Sequence, residues 1–319
     1  MREALFVKQN SEKWNHYDQM QLANPDELAN RFIEITNDLS YAKTFYPQSK
    51  TTDYLNGLAA KLHQSVYKNK KEKSNRFIYF WKTELPIIFY QNRKQIFYAF
   101  AFFFISCLIG MLSAKYDDTF LRLILGDQYV NMTNENISKG DPFGVYKQQN
   151  PLLMFIQIGA NNIFVSLFTF VLGILLSFGA IFSLFRNGVM LGSFQYFFFS
   201  KGLGLQSVLV IWIHGTLEIS ALVLAGAAGL ILGNSILFPK TYTRMESFLK
   251  GGKDGLKIVI GLIPIFIVAA FFESFVTRHT EMPMLLSVVI LLASAAFIIW
   301  YVIIYPIALH KKLSSSQSI

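Results

Sequence analysis

His214 and Glu218 stand one helical turn apart inside the apolar run 209–233. An acid in a hydrocarbon span costs about 2.5–3.5 kcal/mol on insertion scales, so both side chains should face protein. The pair could ligate a metal, move a proton or ion, or form a structural hydrogen bond between helices. A zinc protease motif needs a second histidine and a third ligand, which the neighbouring sequence lacks. We therefore favour the structural bond and expect no metal, no cofactor and no enzymatic activity.

Glu273 is a second acid in an apolar run, and we expect it near the outer end of its span. Amide side chains near the ends of other apolar runs add hydrogen-bonding capacity. The predicted buried polar centre consists of His214, Glu218, Glu273, Asn161, Asn162 and Asn187. An alternative interpretation is a transporter or channel in which Glu218 and Glu273 bind a proton, an ion or a polar solute.

Two rows of small residues follow helical spacing and predict close helix packing, in a compact bundle or in a dimer. One row shares the face of His214 and Glu218 and contains Ala221, Ala225, Gly229 and Gly233. The other lies in the apolar run 163–185 and includes Ser166, Thr169, Gly173 and Ser177.

The composition is that of a membrane protein. Hydrophobic residues make up 53% of the 319 residues and charged residues 15%, against about 25% in soluble domains. The single cysteine, Cys107, lies in a predicted span, so we expect no disulfide. The net charge of +9 comes from basic residues beside the spans, which indicates a lipid surface as partner rather than nucleic acid.

The order of apolar runs predicts an all-α, polytopic transmembrane helical bundle of about six spans within residues 96–312, with a polar tail at 313–319. An outer segment at 115–162 ends in an amphipathic surface helix near 151–160. The second span is 163–185, and residues 189–199 form a short span or a re-entrant half-helix. The positive-inside bias indicates the cytoplasmic (inner) membrane, with both termini in the cytoplasm.

Residues 1–95 predict a cytoplasmic helical domain with an interfacial helix near 76–92. Asn24 should cap a helix that begins at Pro25 and ends near Pro47, and a second helix should follow Ser49. A charged linker covers 69–75. This domain is either a folded cap on the membrane domain or a docking site for a soluble partner.

The chain resembles the stage II sporulation protein M family of integral membrane proteins. The most specific segment is His214-Gly-Thr-Leu-Glu218 in its apolar setting. The other matching segments, in chain order, are Phe6 and Trp14, Leu39–Ala42, Tyr46–Ser49, Tyr54–Gly57, Glu84–Pro86, Asn161-Asn162, Asn187-Gly188, Leu191-Gly192 and Glu273–Thr277.

The resemblance implies a non-enzymatic, multispanning scaffold or complex subunit. In spore formers, the founding member works with cell-wall hydrolases during engulfment. Other members are expected beside membrane and ATPase components. The expected partners are therefore the bilayer, a second copy or another membrane protein, and a cytoplasmic ATPase or an envelope hydrolase.

Overall fold

The computed structural model of the protein describes residues 2–19, 25–67, 76–147, 150–279 and 282–316. Within these ranges the regular structure is helical and no strand is present, so the predicted all-α class is confirmed. The chain divides into two compact units, Met1–Arg76 and Phe77–Ile319. Asn24, predicted as a cap, and the predicted linker 69–75 lie outside the described residues.

The first unit consists of three helices around its own core. They are α1 (Glu3–Gln19), α2 (Pro25–Phe45) and α3 (Lys50–Tyr67). Phe6 and Trp14 of α1 meet edge to face with ring centroids 5.4 Å apart. They pack against apolar side chains of the other two helices, of which Ile35 and Leu55 are fully buried. The helical spacing of apolar residues in α2 and α3 therefore marks the sides that build this core.

The second unit begins with short helical turns, the first of which starts at the boundary residue Arg76. They are α4 (Arg76–Tyr79), a π-helical turn (Phe80–Glu84) and α5 (Leu85–Gln91). α5 buries Leu85 and Phe89 in the core of the bundle. The predicted domain boundary at residue 95 thus lies beyond the structural one, because these apolar side chains find their partners in the membrane unit.

The bundle continues with α6 (Arg93–Tyr116) and the short helices α7 (Asp118–Leu125) and α8 (Asp127–Ser138), then a 3-10 turn at Gly144–Lys147. We call the face at which α6 begins the basic face, because Arg93 and Lys94 lie there. The face at which α6 ends, and at which α7 and α8 follow, is the loop face.

α9 (Pro151–Val171) returns the chain toward the basic face. It begins earlier in the sequence than the predicted span. Its first ten residues are not a separate surface helix, and the outer segment ends at Asn150 rather than at 162. The Asn150 side-chain oxygen accepts from the amide of Leu152 at 2.9 Å, and Pro151 occupies the first helical turn, so the helix begins there. Asn162 does not end the helix, because its side chain is buried against protein.

The turn between α9 and α10 (Phe178–Ser200) lies at a different place from the predicted break between spans. A 3-10 turn at Leu172–Ile174 ends α9, and Leu176 and Ser177 adopt left-handed conformations with φ of 53° and 71°. α10 then runs without a break through Arg186, where the sequence predicts a separation between a span at 163–185 and a short one at 189–199. Arg186 does not end the helix because its side chain is exposed and can extend along the helix surface.

α10 is a full-length helix and not a re-entrant half-helix. It runs parallel to α6, since Gly188 lies against Phe103 and Ser106 whereas Gly192 lies against Cys107 and Met111. Five other helical segments are long and apolar enough to cross a membrane by length and composition. α10 has 23 residues and follows α6 along its length, so it lies in the same layer as these five segments.

The last crossings are built from long helices. They are α11 (Gly204–Leu237), α12 (Arg244–Phe271) with a π-helical turn at Phe272–Val276, and α13 (Met284–Ile299), which continues through a π-helical turn (Trp300–Ile304) into α14 (Tyr305–Ser316). α12 remains α-helical through Pro264, and its irregular turn comes later, at the loop face. The predicted polar tail begins within α14 rather than after it. α11 is central and packs against α6, α9, α10, α12 and α13.

Candidate functional site

His214 and Glu218 of α11 point into the bundle, as their place in an apolar run requires. His214 stands ten residues after Gly204, on the order of 15 Å along the helix from the loop face. Its side chain is buried, and that of Glu218 is half-buried. α11 thus carries an imidazole and a carboxyl group into the apolar layer, on the side that faces other helices.

The π-helical turn after α12, together with the residue that follows it, supplies the groups that meet His214. The Nδ1 atom of His214 lies 2.9 Å from the Thr277 hydroxyl, and its Nε2 atom lies 4.0 Å from the Glu273 carboxylate. Both ring nitrogens therefore face polar groups from one segment. Glu273 lies in the π-helical turn that ends α12 at the loop face, and its carboxylate stands beside the imidazole of α11.

The three ionisable groups form a single cluster. One nitrogen of His214 and one carboxylate oxygen from each of Glu218 and Glu273 lie within 4.8 Å of one another. Asn162 of α9 is buried next to the Glu218 carboxylate, and its amide nitrogen has no acceptor at good hydrogen-bonding geometry. We call His214, Glu218, Glu273, Asn162 and Thr277 the polar centre.

The structure separates the other predicted members from this centre. Asn161 is exposed on α9, because residues adjacent in a helix point about 100° apart. Asn187 donates to the Ser183 carbonyl oxygen at 2.8 Å within α10. Thr277 is a site residue that sequence reasoning missed, although it stands four residues after Glu273 and so on the same side of a helical turn.

The two predicted rows of small residues pack against each other or their neighbours within this chain. A Cβ atom on Gly173 would overlap the backbone of Gly229, and one on Gly233 would overlap Ser177. The hydroxyl groups of Thr169 and Ser183 are 2.6 Å apart, which joins α9 to α10. The remaining members of the rows, Ala221, Ala225 and Ser166, are fully buried. The rows therefore serve the bundle, and they give no support to a dimer.

A second polar cluster lies between α10 and α11 near the loop face. Gln195 donates to the Ser207 hydroxyl at 2.7 Å and accepts from the Trp212 indole at 2.9 Å. No pattern in the sequence marks this set, because its members stand on two helices and are common in spans. It holds the beginning of α11 beside α10.

Chemically, the polar centre can hold a cation or a proton between two carboxylates and an imidazole. Ser274, next to Glu273 in the chain, is fully buried and its hydroxyl lacks a hydrogen-bond partner. The two ring nitrogens of His214 face Thr277 and Glu273.

Family models match part of each unit of the chain. The sequence model of a domain of unknown function (DUF8413) matches residues 4–68, which lie in the three-helix unit. No curated protein and no solved structure matches the chain. The sequence model described as stage II sporulation protein M matches residues 99–278, which include every member of the polar centre. The chain therefore belongs to the stage II sporulation protein M family of membrane proteins.

Proposed function

We propose that this protein is a non-enzymatic membrane scaffold, a subunit that anchors envelope-remodelling or other membrane-associated machinery. The observation that carries the proposal is the division into two units with separate cores. The three-helix unit matches a domain model of its own, so it is a module added to the family's membrane bundle. A module with its own core can bind a partner without disturbing the membrane helices.

Charge supports an orientation for this scaffold. Arg93 and Lys94 begin α6, and Lys240, Arg244 and Lys250 lie at the α11–α12 connection on the same face. By the positive-inside rule the basic face is cytoplasmic, in the inner membrane of a bacterial cell. Both termini then lie in the cytoplasm. The three-helix unit would there meet a soluble partner such as an ATPase. On the opposite face, α7 and α8 would meet envelope proteins such as a hydrolase.

A second candidate function is transport, and the convergence of Glu218, Glu273 and His214 favours it. Carboxylates inside a membrane bundle commonly mark proton or ion pathways. In this candidate function the pair of acids would bind and release the transported species. In the scaffold, the same residues hold α11 to the end of α12.

Purification from native membranes tests the scaffold. We expect the full chain to retain a soluble partner that is absent when residues 2–67 are deleted, while partners of the membrane unit persist in both samples. Retention of the same partners by both chains would remove the docking role of the three-helix unit.

Reconstitution tests transport. Proton and cation flux would be measured in proteoliposomes that contain the native chain, Glu218→Gln or Glu273→Gln. The scaffold predicts equal background flux in all three. Flux that is present in the native protein and absent from correctly inserted Glu218→Gln protein would replace the scaffold with a transporter.

A further inference from the structure

We propose that His214, Glu218 and Glu273 bind one divalent transition-metal ion of the Zn²⁺ class inside the membrane bundle. The ion would join α11 to the segment that follows α12. This inference is independent of the proposed scaffold function, since metal content is measured without any partner.

The donor atoms have the chemistry and the spacing of a metal site. Imidazole and carboxylate are both common ligands of Zn²⁺. Ligands of tetrahedral Zn²⁺ lie about 2.0–2.2 Å from the metal, so they are roughly 3.3–3.6 Å from one another. The three donor atoms here already lie within 4.8 Å of one another. Side-chain movements on the order of 1 Å would close them around an ion.

Thr277 orients the histidine for this role. When Nδ1 carries the proton and donates to the Thr277 hydroxyl at 2.9 Å, the Nε2 lone pair faces Glu273. Metal-binding histidines commonly donate their other ring N–H to a fixed acceptor, which selects the tautomer and the ring orientation. Thr277 is buried, so this acceptor is held in place.

Charge also favours a cation at this position. Within the described parts of the chain, neither Glu218 nor Glu273 has a lysine or arginine at ion-pairing distance. Two carboxylates in an apolar layer repel each other and lose hydration, which a dication would offset. A single histidine supplies at most one positive charge against two negative ones.

Asn162 places an amide group beside the three donor atoms. Its side chain is 9% exposed, it lies beside Glu218, and its amide nitrogen lacks an acceptor at good geometry. Rotation of the amide by 180° would instead turn its oxygen toward the cluster, where it can ligate a metal or bind a metal-bound water. In that orientation the amide oxygen, rather than the N–H groups, would face the ion.

A cavity at the loop face borders one member of the polar centre. A cavity of about 100 Å³ is lined by Gln206, Ile213, Thr277 and His279. Thr277 therefore stands between this cavity and the imidazole of His214. An ion that enters from the loop face would meet Thr277 before it meets the imidazole.

Elemental analysis of the full chain is the direct test. The protein would be purified in detergent through a tag without histidines, and its metal content measured before and after incubation with Zn²⁺ and removal of the excess. We expect about one ion per chain, and a higher unfolding temperature for the Zn²⁺-loaded protein. Failure of the native chain to retain Zn²⁺ in both samples would overturn the proposal, whatever the variants do.

Matched variants assign the ligands. His214→Gln, Glu218→Gln and Glu273→Gln should each weaken Zn²⁺ binding at least 10-fold, and Thr277→Val should weaken it about 10–100-fold through the orientation of His214. His279→Gln changes a histidine of the adjoining cavity and should leave binding unchanged. Equal Zn²⁺ retention by monodisperse His214→Gln protein and by the native chain would contradict the assignment.

Discussion

The backbone of Gly229 in α11 lies directly against Gly173 in the turn that ends α9, with no side chain between them. This contact brings the central helix to the turn at which the chain reverses on the basic face. It also explains why small residues recur on both elements, since a methyl group on either glycine would meet backbone atoms.

Replacement of Gly173 or Gly229 by alanine should therefore destabilise the bundle. We expect a loss of about 1–3 kcal/mol for each, the usual cost of overpacking. Thermal unfolding in detergent would measure it. Gly215→Ala is the matched control on α11, because a Cβ there meets no atom within 4 Å. It should be neutral or stabilising by up to about 1 kcal/mol. Equal effects at Gly215 and Gly229 would contradict the packing argument.

The left-handed turn at Leu176 should respond to glycine in the opposite way. Leu176 has φ of 53° and an exposed side chain, so Leu176→Gly should relieve about 1–2 kcal/mol of backbone strain. Part of that gain is offset by the flexibility of glycine in the unfolded chain. The neighbouring Leu175 has φ of −74° and is also exposed, so Leu175→Gly should only destabilise. In thermal unfolding, Leu176→Gly should have a higher midpoint temperature than Leu175→Gly. The reverse order would contradict the prediction.

The ion pair of Glu84 and Lys257 should stabilise the attachment of the π-helical turn Phe80–Glu84 to α12. Both side chains are partly buried, so the pair is less screened by water than a surface pair. A double-mutant cycle with Glu84→Gln and Lys257→Met should give a coupling energy of about 0.5–3 kcal/mol. The exposed pair of Glu135 and Lys139 should give only about 0.3–0.5 kcal/mol. Coupling at Glu84 no larger than at Glu135 would show that burial adds nothing there.

The three-helix unit should lose stability in alkali through Tyr17. Its hydroxyl donates to Glu34 at 2.7 Å, and this hydrogen bond, with burial, raises the pKa of Tyr17 to about 12. In the unfolded chain, a tyrosine side chain has a pKa of about 10. The unfolded chain therefore releases this proton first, and the stabilisation is present below about pH 10 and declines as the pH rises toward 12.

Urea unfolding of the native chain and of Tyr17→Phe, measured between about pH 8 and pH 11.5, tests this contribution of Tyr17. The difference in stability between the two proteins should shrink as the pH rises. A difference that stays constant between about pH 8 and pH 11.5 would contradict the assignment to Tyr17.

Much of the fold follows from the sequence, because apolar runs and helical spacing fix where helices form. The place of α11 at the centre follows from its small residues and its two polar ones. The turn before α10 could not be predicted in the same way. It contains neither glycine nor proline at Leu175–Ser177, and its left-handed residues are held by packing of the glycine contacts around them.

The polar centre was predictable only in part. The sequence shows that His214, Glu218 and Glu273 must face protein, but not that they face one another. Their meeting depends on the crossing of α11 with α12 and on the π-helical turn that positions Glu273 and Thr277. The separation of Asn162 from Asn161 likewise depends on which side of α9 is covered by neighbouring helices.

The parallel packing of α10 on α6 has a consequence for biogenesis. α10 carries Arg186 and is not one of the five helices that are long and apolar enough to cross a membrane. Its transfer into lipid alone should therefore be only weakly favourable. The glycines of α10 fit against α6. Because α6 is synthesised earlier, it can already be inserted in the bilayer when α10 leaves the ribosome. We expect α6 to act as an internal chaperone for α10. Bulky residues at Gly188 or Gly192 should then appear first as errors of membrane topology during translation.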